Sequence, residues 1–150
     1  MSATPRKARR SRPSLRLWSY EKAMAAVPYL SSVLRSLREL ALDIQVLRQR
    51  LKHFDDLHGR PTRKTIIAHE ETRRDLAHRE QDYEHALAEL EAIDVHLVDA
   101  TRGLALIPFI HDDQQAGFIF DLFDSQPIRS WRYDSDPEEM RRKVSAAQMR

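Results

Sequence analysis

Leu30, Leu37, Ile44 and Leu51 recur at intervals of seven, and Val33, Leu40, Leu47 and Phe54 repeat in the same way three residues further on. All eight positions are apolar over four heptads, which is the seam of a coiled coil. A helix with such a stripe has to bury it against a second helix, so this feature constrains the fold before any other. Ser19 is placed to cap the approach to it, with Glu21 in the first turn, and Pro28 predicts a break near Val27. Gly59 suits a left-handed helix end and Pro61 stops continuation, so Asp55–Thr62 is the bend of a hairpin. The second helix then runs from Thr62 or Thr65 to Ala92.

The seam of that second helix is poorer. Leu76, Tyr83, Ala86, Leu87, Leu90 and Ile93 line its later half, but Ile66, Ile67 and Ala68 are followed by the polar run His69 to Arg74. Folding the helices antiparallel about Gly59 sets Ile44 against Leu76, Leu37 against Tyr83 and Leu30 against Leu90. Leu47 and Leu51 are left facing the polar run. An exposed side chain of that size forgoes roughly 1.5–3 kcal/mol of burial. A second copy of the hairpin would cover them, which predicts a homodimer with Leu47, Leu51 and Phe54 at its interface. The C-terminal segment of the same chain is the other candidate cover.

After Ile93 the periodicity shifts towards two. Gly103–Ile110, Gly117–Phe123 and Ile128–Tyr133 read as three strands of an antiparallel meander, with His111–Ala116 as a loop and Pro108 at an edge or a bulge. Val95–Val98 is a candidate further strand. Asp136-Pro137-Glu138-Glu139 carries the signals of a helix start, so a short C-terminal helix and basic tail are expected. The fold class is therefore α+β: a long antiparallel coiled-coil-like hairpin, a small three-stranded antiparallel sheet and a short C-terminal helix. At 150 residues this is one domain, residues 18–134, with an arm before it and a tail over 135–150.

The arm, residues 1–17, holds Arg6, Lys7, Arg9, Arg10, Arg12 and Arg16 and no acid, while the rest of the chain is mildly acidic. It reads as a solvated N-terminus; alternatively Arg6, Lys7, Arg9, Arg10 and Arg12 hold phosphates by charge, giving weak, non-specific nucleic-acid association. The chain has no cysteine and only three glycines, which excludes disulfides, thiol chemistry, zinc–thiolate sites and glycine-rich phosphate loops. No apolar run approaches the ~20 residues of a membrane span, and residues 1–17 lack the apolar stretch of a secretion signal, so a cytoplasmic protein without membrane contact is expected.

Trp18-Ser19-Tyr20-Glu21-Lys22-Ala23 with Val27-Pro28, then Gly103-Leu104 with Pro108, then Trp131, stand in an order that resembles an uncharacterised bacterial family, domain-of-unknown-function family 2203. The resemblance spans about Trp18 to Tyr133 and implies the hairpin-plus-sheet fold. It implies no activity. It also implies an aspartate two residues before the strand proline, a Cys-Trp pair in the second strand and a histidine after the third-strand tryptophan. This chain has Leu106, Phe120-Asp121 and Arg132 there, so a site built on those groups would be absent.

Candidate chemistry rests on few residues. His78, Asp82 and His85 share a helical face at i, i+4 and i+7, a spacing that can ligate a divalent metal, although as a solvent-facing stripe they read as a charged surface. His111, Asp112 and Asp113, with Asp121 and Asp124, could hold a cation or simply form turns. Phe118, Trp131 and Tyr133 are candidates to line a pocket or to pack a core. No nucleophile–base arrangement is legible and no cofactor is expected. A non-enzymatic, self-associating adaptor or scaffold is the leading expectation, with nucleic-acid association and a metal-dependent protein or enzyme as alternatives.

Overall fold

A computed structural model describes residues 16–150. Helix α1 (Tyr20–Ala25) starts at Ser19, whose hydroxyl accepts the Lys22 N–H, and stops at Ala26, where α2 (Val27–Asp55) begins with Pro28 in its first turn. The proline thus produces a clean break, with its missing N–H placed where a helix start has no partner to give it. Helix α3 (Arg63–Ala92) begins at Thr62, whose hydroxyl accepts the Thr65 N–H. It ends in a pair of reversed bonds, Val95 N–H to the Leu90 carbonyl and Asp94 N–H to that of Glu91, with Asp94 at a φ of 61°.

The hairpin pairs in a different register from the symmetric one. The Phe54 and His69 rings meet edge to face at 5.5 Å, and Asp43 pairs with Arg79 at 3.7 Å. Stepping by heptads from Phe54 and His69 brings Leu47 level with Leu76, Leu40 with Tyr83 and Val33 with Leu90, one helical turn away from folding about Gly59. The first turn of α3 overshoots the end of α2. Gly59, at a φ of 95°, turns the chain in the loop and does not cap α2, whose last position is followed by Asp56 in a right-handed conformation.

This shift corrects the expectation for Leu47. It is only 8% exposed within the single chain, and the heptad register sets it level with Leu76 rather than with the polar run. Leu51 and Phe54 are half-buried. Thr72 comes level with Leu51 and satisfies its own buried hydroxyl by donating to the Ala68 carbonyl at 2.8 Å. Three large apolar side chains stand open together at the hairpin end, Leu57 at 48%, Ile66 at 55% and Ile67 at 49%; others, such as Val46 and Phe123, are scattered along the arm and the body.

Five strands form one antiparallel meander in chain order: β1 (His96–Asp99), β2 (Leu104–His111), β3 (Gln114–Asp121), β4 (Ser130–Tyr133) and β5 (Arg142–Lys143). The three expected strands are β2, β3 and β4. Strand β1 is the further one the alternation around Val95–Val98 allows. Strand β5 carries no readable pattern, since two polar residues have no periodicity; Val144 N–H donates to the Arg129 carbonyl beside it. The β2–β3 connection is shorter than read. His111 pairs with Gln114, leaving Asp112 and Asp113 alone in the turn at φ 48° and 59°. Both values suit the turn that matches strand twist, which aspartate tolerates.

The expected helix at Asp136-Pro137-Glu138-Glu139 does not form. The Asp136 carboxylate accepts the Tyr133 N–H and two bonds from the Arg142 guanidinium at 2.9 and 3.0 Å, so it closes a turn into β5. The C-terminal helix is α4 (Ala146–Met149), started by Ser145 and Gln148 capping one another.

One core lies between the sheet and the near half of the hairpin. Ala105, Ile107 and Phe109 of β2, Ala116, Phe118 and Phe120 of β3 and Trp131 of β4 meet Ala23, Leu30, Val33, Leu34, Leu37 and Leu90. Val144 joins them, so residues 135–150 contribute to the body as well as to a tail. Trp18 ties the N-terminal lead-in down: its backbone N–H donates to the Pro108 carbonyl at 2.8 Å and its indole to that of Ile93 at 3.1 Å. Pro108 lies where β1 has already ended, so its missing N–H costs no ladder bond to that strand. Beyond Leu37 α2 contributes no residue to this core, and at about 1.5 Å per residue it extends a further 25 Å or so as an arm.

Candidate functional site

The hairpin carries the candidate metal-ligating residues on α3. His78, Asp82 and His85 are exposed on α3. His78 and Asp82 line a shallow cleft of about 580 Å³ with Asp43, Asp75, Arg50 and Arg79, and His85 does not reach it. Arg79 is paired with Asp43. Among the described residues no three histidine, aspartate or glutamate side chains come together as metal ligands. The shared helical face exists, and Asp43, the α2 carboxylate in the same cleft, is paired with Arg79.

The acidic groups of the sheet are also committed. Asp121 accepts the Phe123 N–H and pairs with Arg141 at 3.5 Å. Asp124 accepts the Gln126 N–H and pairs with Arg129 at 2.6 Å. Asp112 and Asp113 form the exposed β2–β3 turn, with His111 3.4 Å from Asp112. A cleft of about 510 Å³ near β5 gathers Arg129, Arg141 and Lys143, but Asp124 and Asp121 already answer two of those cations.

Phe118, Trp131 and Tyr133 pack together. Phe109 stacks on Phe118 at 3.9 Å, Trp131 meets Tyr133 and His111 edge to face at 4.8 Å, and the Arg142 guanidinium lies over both Trp131 and Tyr133. They close the core-side face of the sheet and leave no room among themselves.

The other face of the sheet holds a cavity that sequence reasoning did not single out. Its volume is about 250 Å³, and it is lined by Asp94, His96, Leu106, Pro108, Ala116, Gly117, Arg132 and Asp134. Register explains it. Pro108 pairs with Gly117 and Gly117 with Arg132, while His96 pairs with Leu106. The row through Pro108 and Gly117 is therefore low, and longer side chains rise beside it. A methyl group on Gly117 would stand 3.2–3.3 Å from Leu106, so the floor is already closely filled. Arg132 belongs to this wall because Trp131 and Tyr133 on either side point to the core. The alternation of β4 was the available signal. Leu106 and Arg132 face this one cavity.

Arg6, Lys7, Arg9, Arg10 and Arg12 lie outside the described residues. Among the described residues no helix is long and apolar enough to cross a membrane.

Hairpin, meander and outer-face cavity together define a small α+β protein with a projecting helical arm. The family profile described as uncharacterized conserved protein (DUF2203) matches residues 16–143, and the chain belongs to that family. Comparison with curated proteins and with solved structures gives no match.

Proposed function

We propose that this protein is a non-enzymatic adaptor that associates with a second copy through the free end of its hairpin. The observation that carries this reading is the arm itself: beyond Leu37 α2 adds nothing to the core shared with the sheet, yet the arm's end exposes Leu57, Ile66 and Ile67 beside half-buried Leu51 and Phe54. Apolar side chains gathered at the end of an otherwise charged arm favour contact with a like surface. Leu47 is not part of this surface, because it is buried within the single chain.

Light scattering behind size exclusion tests the reading. The full-length protein is expected to run as a dimer, and Ile66→Glu with Ile67→Glu as a monomer of unchanged helical content. A dimer that persists in the double variant places self-association elsewhere, and a wild-type monomer removes it.

A further inference from the structure

We propose that the outer-face cavity binds a small zwitterion of amino-acid size, with its carboxylate on Arg132 and its ammonium group between Asp94 and Asp134. The walls carry both signs of charge without spending them on each other. Among the described residues Arg132 makes no ion pair within 4.0 Å, although two carboxylates line the same cavity. Its one hydrogen bond is a long one, 3.4 Å to the neighbouring Tyr133 carbonyl. A half-buried guanidinium so placed keeps its planar fork for a two-point contact with a carboxylate.

The Asp94 carboxylate and the Asp134 backbone are held where they stand. Asp94 follows the end of α3 in a left-handed conformation, and its side chain accepts the Arg16 N–H at 2.7 Å. Asp134 is anchored by its backbone N–H, which donates to the Gln115 carbonyl at 3.0 Å. Between the charges the floor is apolar, formed by Leu106, Pro108 and Gly117, and suits a short aliphatic or small side chain. The volume of about 250 Å³ falls below the ~300–1,000 Å³ that drug-sized ligands occupy. A bare anion would meet two carboxylates, and a bare cation would meet Arg132. A molecule carrying both charges satisfies each wall.

The test uses the full-length protein labelled with nitrogen-15, titrated with each of the common L-α-amino acids to about 10 mM, enough to saturate a site in the millimolar range. At least one is expected to shift the amide resonances of His96, Gly117 and Arg132 saturably. Arg132→Gln should weaken that binding about tenfold or more while leaving the remaining spectrum in place, and Asp134→Asn should also weaken it. The N-acetyl form of the same amino acid, which lacks the ammonium charge, should bind at least as poorly. Absence of any saturable shift overturns the proposal, as does binding unchanged in both variants. Equal binding of the N-acetyl form overturns the zwitterion assignment. The cavity lies in the body and the proposed interface at the hairpin end, so either can fail without the other.

Discussion

Gly103 shows how much a single backbone position decides. It sits at a φ of 66°, its carbonyl accepts the Leu122 N–H, and a methyl group there would stand 2.6 Å from the Leu122 Cβ. Gly103→Ala combines left-handed strain with overlap and is expected to cost about 2–4 kcal/mol, read from denaturant unfolding. Asp136 decides a different matter. Its hydrogen bonds from the Arg142 side chain hold its carboxyl below the ordinary value of 3.8, with the Tyr133 N–H acting in the same direction. A carboxyl lowered by folding stabilises the fold above 3.8 and loses that contribution as the pH falls through the lowered value. Asp136→Asn removes the linkage. Unfolding midpoints at neutral pH and well below 3.8 should therefore lie closer together in the variant than in the wild type, with the variant less stable at neutral pH. The same residue explains why the helix signal at Asp136-Pro137-Glu138-Glu139 misled: a carboxylate able to cap a helix was taken by a guanidinium six residues on.

At the scale of elements the heptad pattern located both the arm and its partner, because seven-residue spacing needs only local sequence to be read. It could not set the register, which depends on how far α3 overshoots α2 at the bend. The register separates two leucines that look alike in sequence. Leu37 is fully buried and belongs to the core, whereas Leu51 is half-buried at the level of Thr72. Leu37→Ala is expected to cost about 2–5 kcal/mol and Leu51→Ala about 1 kcal/mol, both by thermal or denaturant unfolding. Removing one heptad from each helix of the arm, residues 45–51 together with 72–78, keeps the seam in phase. It should shorten the arm by roughly 10 Å and leave the protein folded and cooperative, whereas removing either heptad alone should not. Small-angle scattering and circular dichroism distinguish these outcomes. Among the strands, β2, β3 and β4 were legible from alternation, while β5 was not, since its pairing comes from the Arg129–Val144 bond and the Asp136–Arg142 pair.

The whole molecule divides its work between a body and an arm. The body holds one core and, on the opposite face of its sheet, the zwitterion cavity; the arm carries the exposed end to a distance. The sequence by itself determined the α+β class, the hairpin, the central strands and the helix starts at Ser19 and Thr62. These follow from periodicity, caps and composition, which act over a few residues. Only the tertiary structure decided that Leu47 is covered, that His78, Asp82 and His85 remain a solvent face, and that Asp94, His96, Arg132 and Asp134 share one cavity. Arg132 shows why. Its alternation with Trp131 and Tyr133 fixes which face it takes, but Asp94 and His96 reach that face through the pairing of β1 with β2 and the turn at the end of α3. Successive strand pairings thereby bring Asp94 and Asp134, 40 positions apart, to one cavity, and no local pattern encodes that.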